Sequence, residues 1–115
     1  MNDKTTTMAE LIKLVEDFVA ERHWEPFHDP KNLSASIAIE AAELMEHFQW
    51  LRNDQLDEAV SEDQLDDITE ELADVTAFLL SLVNVLDVDL SAALERKMAK
   101  NAAKYPAAEF RGRFR

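Results

Sequence analysis

Ser34–Leu51, SASIAIEAAELMEHFQWL, decides the fold class, because it carries two carboxylates where a helix would hide its apolar surface. At 100° per residue, Ile37, Ala41, Leu44, Met45, Phe48 and Leu51 fall on one arc, the stripe that a helix turns toward a core. Glu40 and Glu43 lie just beside that stripe, and Ile39 and Trp50 flank them on the other side. The two acids therefore sit in a trough between apolar zones. They are expected to point into protein.

A second segment repeats the arrangement. In Glu70–Leu86, EELADVTAFLLSLVNVL, Glu71 and Asp74 are three residues apart and share one side of a helix. Beyond Asp74 the segment is apolar nearly all round, which marks a helix buried in a larger helical body. Phe78 and Val85 lie in line with the acids, so this pair also faces protein. If the two helices pack side by side, four carboxylates converge. Two like charges roughly 4 Å apart repel by about 4 kcal/mol at an effective dielectric of about 20, so the group needs a cation.

Bulk properties narrow the field. A chain of 115 residues suits one domain with a single core. Its net charge of −12 argues against a nucleic-acid polymer or an anionic membrane as partner. The absence of cysteine removes disulfides and thiolate metal sites. No apolar run reaches the roughly 18 residues of a membrane span, and MNDKTTT lacks a signal-peptide core, so a cytoplasmic location is expected. One glycine and three prolines leave long uninterrupted stretches that suit helices and starve hairpins of turn residues.

Four helices are expected. Thr7 with Glu10 reads as a capping box, and Met8, Leu11, Ile12, Val15, Phe18 and Val19 recur at helical spacing to about Arg22. An ordered loop, HWEPFHDPKNL from His23 to Leu33, offers Asn32 as the cap of the second helix, which spans about 33–51. Residues 52–62 are acidic and irregular, with a half-turn around Leu56 to Val60. Ser61 with Gln64 then reads as a second capping box for a helix over 62–86. Asp89 caps the last helix, which ends near Lys104 because Tyr105 precedes Pro106. On that helix Lys97, Asn101 and Lys104 look the same way as Leu90 and Leu94. The tail 107–115 has no period and is expected to be flexible or to dock on a neighbouring subunit.

An all-carboxylate site selects a hard divalent cation, Mg²⁺ foremost and Mn²⁺ next. Mg²⁺ shares its shell readily with phosphates, and Lys97 and Lys104, with Asn101 between them, are placed to hold the remaining phosphate oxygens. Trp24, Phe27, His28 and Trp50 could sandwich a base. Together these parts describe a nucleoside triphosphate site, and phosphoryl transfer to water asks a protein mainly for positioning and charge neutralisation. Plainer readings exist for each part. Among 24 acids, pairs at i, i+3 are common, and Glu43 with Glu46 or Asp67 with Glu70 qualify equally. Lysines near a helix C-terminus complement its dipole, and tryptophans often serve as core anchors. His47 follows Glu43 by four residues rather than three, and the third helix supplies no histidine, which argues against a di-iron site.

These same residues resemble the MazG-like all-α nucleoside triphosphate pyrophosphatases, in particular the short single-domain dCTP pyrophosphatase branch. The matching text is WEPFHDPKNL (24–33), EAAEL (40–44), FQW (48–50), EELADV (70–75) and KMAKNAAKYP (97–106). The resemblance implies an oligomeric four-helix bundle in which Glu40, Glu43, Glu71 and Asp74 hold Mg²⁺ and carry catalysis. It implies cleavage between the α- and β-phosphates to monophosphate and pyrophosphate, in a housecleaning role. It also implies substrate binding by Trp24, His28, Trp50, Phe78, Lys97, Asn101, Lys104 and Tyr105, and a homo-oligomer, a tetramer before a dimer, whose neighbouring subunits complete each site. The branch carries a tyrosine where this chain has Phe78 and a histidine where it has Val15. Both changes remove hydrogen-bonding groups near the base, which weakens the expectation of strict selectivity for cytosine and leaves dUTP or another non-standard triphosphate as a rival substrate. A catalytically silent acidic helical module is the rival from another class.

Overall fold

Helices account for all the regular structure in the computed structural model, which describes residues 1–115. Helix α1 spans Met8–Glu21 and starts with the expected capping box: the Glu10 amide donates to Thr7 Oγ1 at 3.2 Å and the Thr7 amide to Glu10 Oε2 at 2.6 Å. These bonds hold the Glu10 carboxyl below its ordinary range, the Thr7 backbone first and its hydroxyl second. The chain leaves α1 through His23 at φ 52°, and Trp24 folds back edge-on to Phe18 with ring centroids 5.8 Å apart. A single 3₁₀ turn, Glu25–Phe27, follows.

Helix α2 runs Pro30–Glu46, earlier at both ends than its apolar period indicates. Asp29, not Asn32, is the cap: its side chain accepts the Asn32 amide at 2.8 Å, and Pro30 takes the first helical position, where its missing N–H costs nothing. The Asn32 side chain instead donates to the Phe27 carbonyl at 3.1 Å and secures the preceding loop. Residues 47–50 form turns, so Trp50 lies beyond the helix and stands 86% exposed.

The acidic connection forms a 3₁₀ turn, Asn53–Gln55, that leads into a short helix, α3 (Leu56–Ala59), which buries Ala59. Helix α4, Glu62–Leu86, follows without the expected capping box, since Ser61 makes no side-chain cap bond. The Gln64 side-chain amide reaches back to the Ala59 carbonyl instead, and with its nitrogen assigned to that side it donates across 2.7 Å and ties α4 to α3. Helix α4 ends where Asp87 adopts φ 51°. Asp89 then accepts the Ala92 amide at 2.9 Å and caps helix α5, Leu90–Lys104, whose axis bends 102° away from α4. In the tail, Ala107–Phe110 makes a last turn, α6, with Phe110 edge-on to Tyr105 at 5.3 Å.

Packing centres on α4. Helix α2 lies along it, α1 covers part of its C-terminal half, and Val19, Leu33, Ile68, Leu80 and Val83 form the core, with Leu33 only 1% exposed. The bend carries α5 off this body. Of the face shared by Leu90 and Leu94, only the start is covered within the chain: Leu90 is half-buried, whereas Leu94 is 58% exposed. The radius of gyration is accordingly 17.3 Å, against about 13 Å for a compact domain of about this size. No single helix is long and apolar enough to cross a membrane.

Candidate active site

The α2–α4 contact brings Glu40 and Glu43 from one helix against Glu71 of the other. One carboxylate oxygen from each lies within 4.8 Å of the others. Glu40 and Glu71 are half-buried, and each has its Oε2 buried with no hydrogen-bond partner. Both carboxyls are pushed above their ordinary range. For Glu40 burial is the largest cause, followed by the adjoining Glu43 and then the charges of Asp74 and Glu71. For Glu71 burial again leads and the Glu43 charge adds to it, against an opposing pull from His47. His47 Nε2 stands 3.7 Å from Glu71 Oε1. Three crowded carboxylates with two orphaned buried oxygens are the donor set a hard divalent cation satisfies, so these residues fit such an ion.

Beside the acids, α1 and α4 enclose a cavity of about 440 Å³. Phe18, Trp24 and Phe78 give it aromatic surface, Leu14, Val15 and Ala77 give it aliphatic surface, and Asp74 stands at its margin. His28 lies 6.4 Å from Phe78, ring centre to ring centre, with its Nδ1 buried and unpaired. Such a pocket suits a flat ring that keeps a few polar contacts. Its position next to the carboxylates suits a ligand with a planar head and an anionic chain.

Across sequences of known proteins, the MazG-like family model matches residues 35–113, most of the chain and all three clustered acids. The chain belongs to the MazG-like family. It is 36% identical over 107 residues to dCTP pyrophosphatase 1 of Bos taurus, covering 92% of this chain. With the Homo sapiens protein of the same name it is 37% identical over 102 residues, covering 88% of this chain. The MazG-like chain spans 63% of the length of the bovine relative and 60% of the human one. Among solved structures, a pyrophosphatase from Archaeoglobus fulgidus DSM 4304 superposes with a TM-score of 0.82 at 41% identity, covering 92% of this chain and 98% of that one.

Not every residue singled out in the sequence meets at this place. In the MazG-like chain Asp74 stays outside the 4.8 Å carboxylate group, near enough for its charge to act on Glu40. Trp24, His28 and Phe78 line the cavity, whereas Trp50 lines neither this cavity nor the smaller one next to it. Lys97, Asn101, Lys104 and Tyr105 travel with α5 and its end, away from the acids of their own chain, and neither lysine forms an ion pair. Three contributors carry no clear signal in the sequence. His47 is a poor match to an iron ligand, but its place one turn after Glu43 sets it on the side facing Glu71. Phe18 belongs to the apolar stripe of the first helix and Leu14 lies outside it, and nothing in that periodicity separates a core wall from a cavity wall.

Proposed function

We propose that this MazG-like protein is a Mg²⁺-dependent nucleoside triphosphate pyrophosphohydrolase that converts dCTP, or a modified deoxycytidine triphosphate, to monophosphate and pyrophosphate in housecleaning of a cytoplasmic nucleotide pool. The observation that carries it is the meeting of Glu40, Glu43 and Glu71 within 4.8 Å beside an aromatic cavity. The relatives' names and the resemblance of the motifs support the same reading.

In this reading Glu40, Glu43 and Glu71 hold the cation, with Asp74 able to join them, and Mn²⁺ would fit the same oxygens. When bound, the ion neutralises phosphate charge as the α–β bond breaks. The protein's own groups do the positioning. Phe78 and Trp24 stack the base, His28 pairs with its edge, and His47 keeps the Glu71 carboxylate turned toward Glu43 and Glu40. Glu40 or Glu43 also orients the attacking water, and the buried, unpaired Oε2 of Glu40 is a free acceptor for it.

Lys97, Asn101, Lys104 and Tyr105 fit the scheme if α5 crosses to a neighbouring subunit. The expanded chain and the exposed Leu94 and Met98 on α5 support a homo-oligomer, and the family resemblance favours a tetramer over a dimer. Trp50, 86% exposed, would then close a site from the same side or a neighbouring one. A second substrate reading, dUTP or another non-standard triphosphate, is favoured by the apolar Val15 and Phe78 in the cavity wall. A panel of nucleoside triphosphates with Mg²⁺, assayed for pyrophosphate, tests the proposal. Release from dCTP is expected, and a folded protein that releases none from any nucleotide refutes it.

A further inference from the structure

Ser81 is the one polar residue among those buried, in a stretch of α4 otherwise made of Ala77, Phe78, Leu79, Leu80, Leu82 and Val83. A hydroxyl inside a helix normally settles its donor on the carbonyl one turn back, as Thr69 does with Leu65 and Thr76 with Leu72, both at 2.7 Å. Ser81 makes no such bond, although the residue as a whole is only 8% exposed. Its surroundings explain where the hydroxyl is aimed. Ser81 lines the 440 Å³ cavity and also a smaller one of about 140 Å³ on its far side, and only Val19, His28 and Ser81 are common to both. The Ser81 hydroxyl, open to the cavity space, and the buried, unpaired His28 Nδ1 thus share the wall where the cavities meet.

The charge behind that wall has one sign. Glu16 and Glu25 line the smaller cavity together with Asn84, and no lysine or arginine does. Negative potential there favours a ligand edge that presents N–H groups over one that presents a carbonyl oxygen. Cytosine carries an amine where uracil and thymine carry an oxygen.

We propose that Ser81 is a specificity-determining residue of this protein: its hydroxyl oxygen accepts a hydrogen bond from the exocyclic amine of an amino-pyrimidine seated in the larger cavity, next to His28. The assignment rests on the reading of that cavity as the site of the base. It moves selection of the base onto α4, one turn beyond Phe78, whose ring has no polar group to offer.

The test measures binding without catalysis. Calorimetric titration of the full chain with dCMP and dUMP in Mg²⁺ buffer compares the parent with Ser81→Ala and Ser81→Thr. In Ser81→Ala the preference for dCMP over dUMP falls about 10-fold, the usual effect of losing one neutral hydrogen bond, and Ser81→Thr, which keeps the hydroxyl, retains most of the preference. Melting of the ligand-free protein separates this from a structural role, since removing a hydroxyl that bonds to nothing in the protein, from a helix where alanine is the better former, leaves Ser81→Ala as stable as the parent or more so. An unchanged preference in Ser81→Ala overturns the proposal, with or without a lower melting temperature. So does a parent that binds neither nucleotide. A parent that binds dCMP selectively but hydrolyses no triphosphate refutes the enzymatic reading and leaves the role of Ser81 standing.

Discussion

Replacing Glu40 by Gln keeps the shape of the carboxylate cluster and removes one of its charges. In the absence of a divalent cation this should stabilise the protein. Glu40 and Glu43 have oxygens within 4.8 Å of each other. At that distance two charges repel by about 0.9 kcal/mol in water and about 3.5 kcal/mol at an effective dielectric of about 20. Glu43 is exposed and Glu40 half-buried, so solvent screening places the pair in the lower half of that range, about 1–2 kcal/mol. At roughly 4 °C per kcal/mol for a chain of this length, Glu40→Gln in EDTA should melt about 4–8 °C above the parent. Mg²⁺ should reverse the order. At 100 times its dissociation constant a ligand stabilises by about 2.7 kcal/mol, roughly 10 °C here, and the variant has lost one of the oxygens that hold it.

The same carboxylates set the sign of the pH dependence. Burial and neighbouring acids raise the Glu40 and Glu71 pKa values, so between the ordinary carboxylate value and the raised one the folded chain holds protons that the unfolded chain has released. Stability contributed by these two groups is therefore greatest at the low end of that window and falls as pH rises through it. Melting curves in EDTA across this window, repeated with Mg²⁺, measure both effects, and Glu40→Gln should show a shallower decline. A variant that melts below the parent in EDTA at every pH, beside a parent indifferent to Mg²⁺, would refute the reasoning.

Other expectations follow from named contacts. His47→Ala should raise the Mg²⁺ concentration for half-maximal activity about 10-fold by releasing Glu71, with part of the loss recovered in His47→Gln; an unchanged Mg²⁺ requirement removes His47 from the site. Leu33→Ala, at the most deeply buried side chain, should cost about 3 kcal/mol in urea unfolding, and a cost below about 1 kcal/mol would mean that the α2–α4 seam repacks freely. Leu94→Asp with Met98→Asp places charges on the uncovered face of α5 and should shift sedimentation toward the monomer with loss of activity. Retention of the parent's assembly would show that this face is not the subunit contact.

What the chain determined by itself is local and periodic. Apolar spacing of 3.6 residues, capping residues such as Thr7 and Asp89, and the near absence of glycine marked out the long helices, and the acid pairs stood out because their flanks were apolar. Helix ends were less legible where two caps competed: Asp29 prevailed over Asn32 because Pro30 favours the first helical position. Tertiary structure decided which of four similar acids meet. Glu40, Glu43 and Glu71 converge while Asp74, one turn further along the same helix as Glu71, turns toward the cavity. It also set His47 against Glu71, placed Ser81 on the wall of two cavities, and sent α5 with its lysines away from the acids of the same chain. The physical reason is that spacing along a helix fixes an azimuth but not a neighbour. Which azimuth meets protein, cavity or a second subunit depends on the rotation and crossing of helices packed on one another, and no local pattern encodes that.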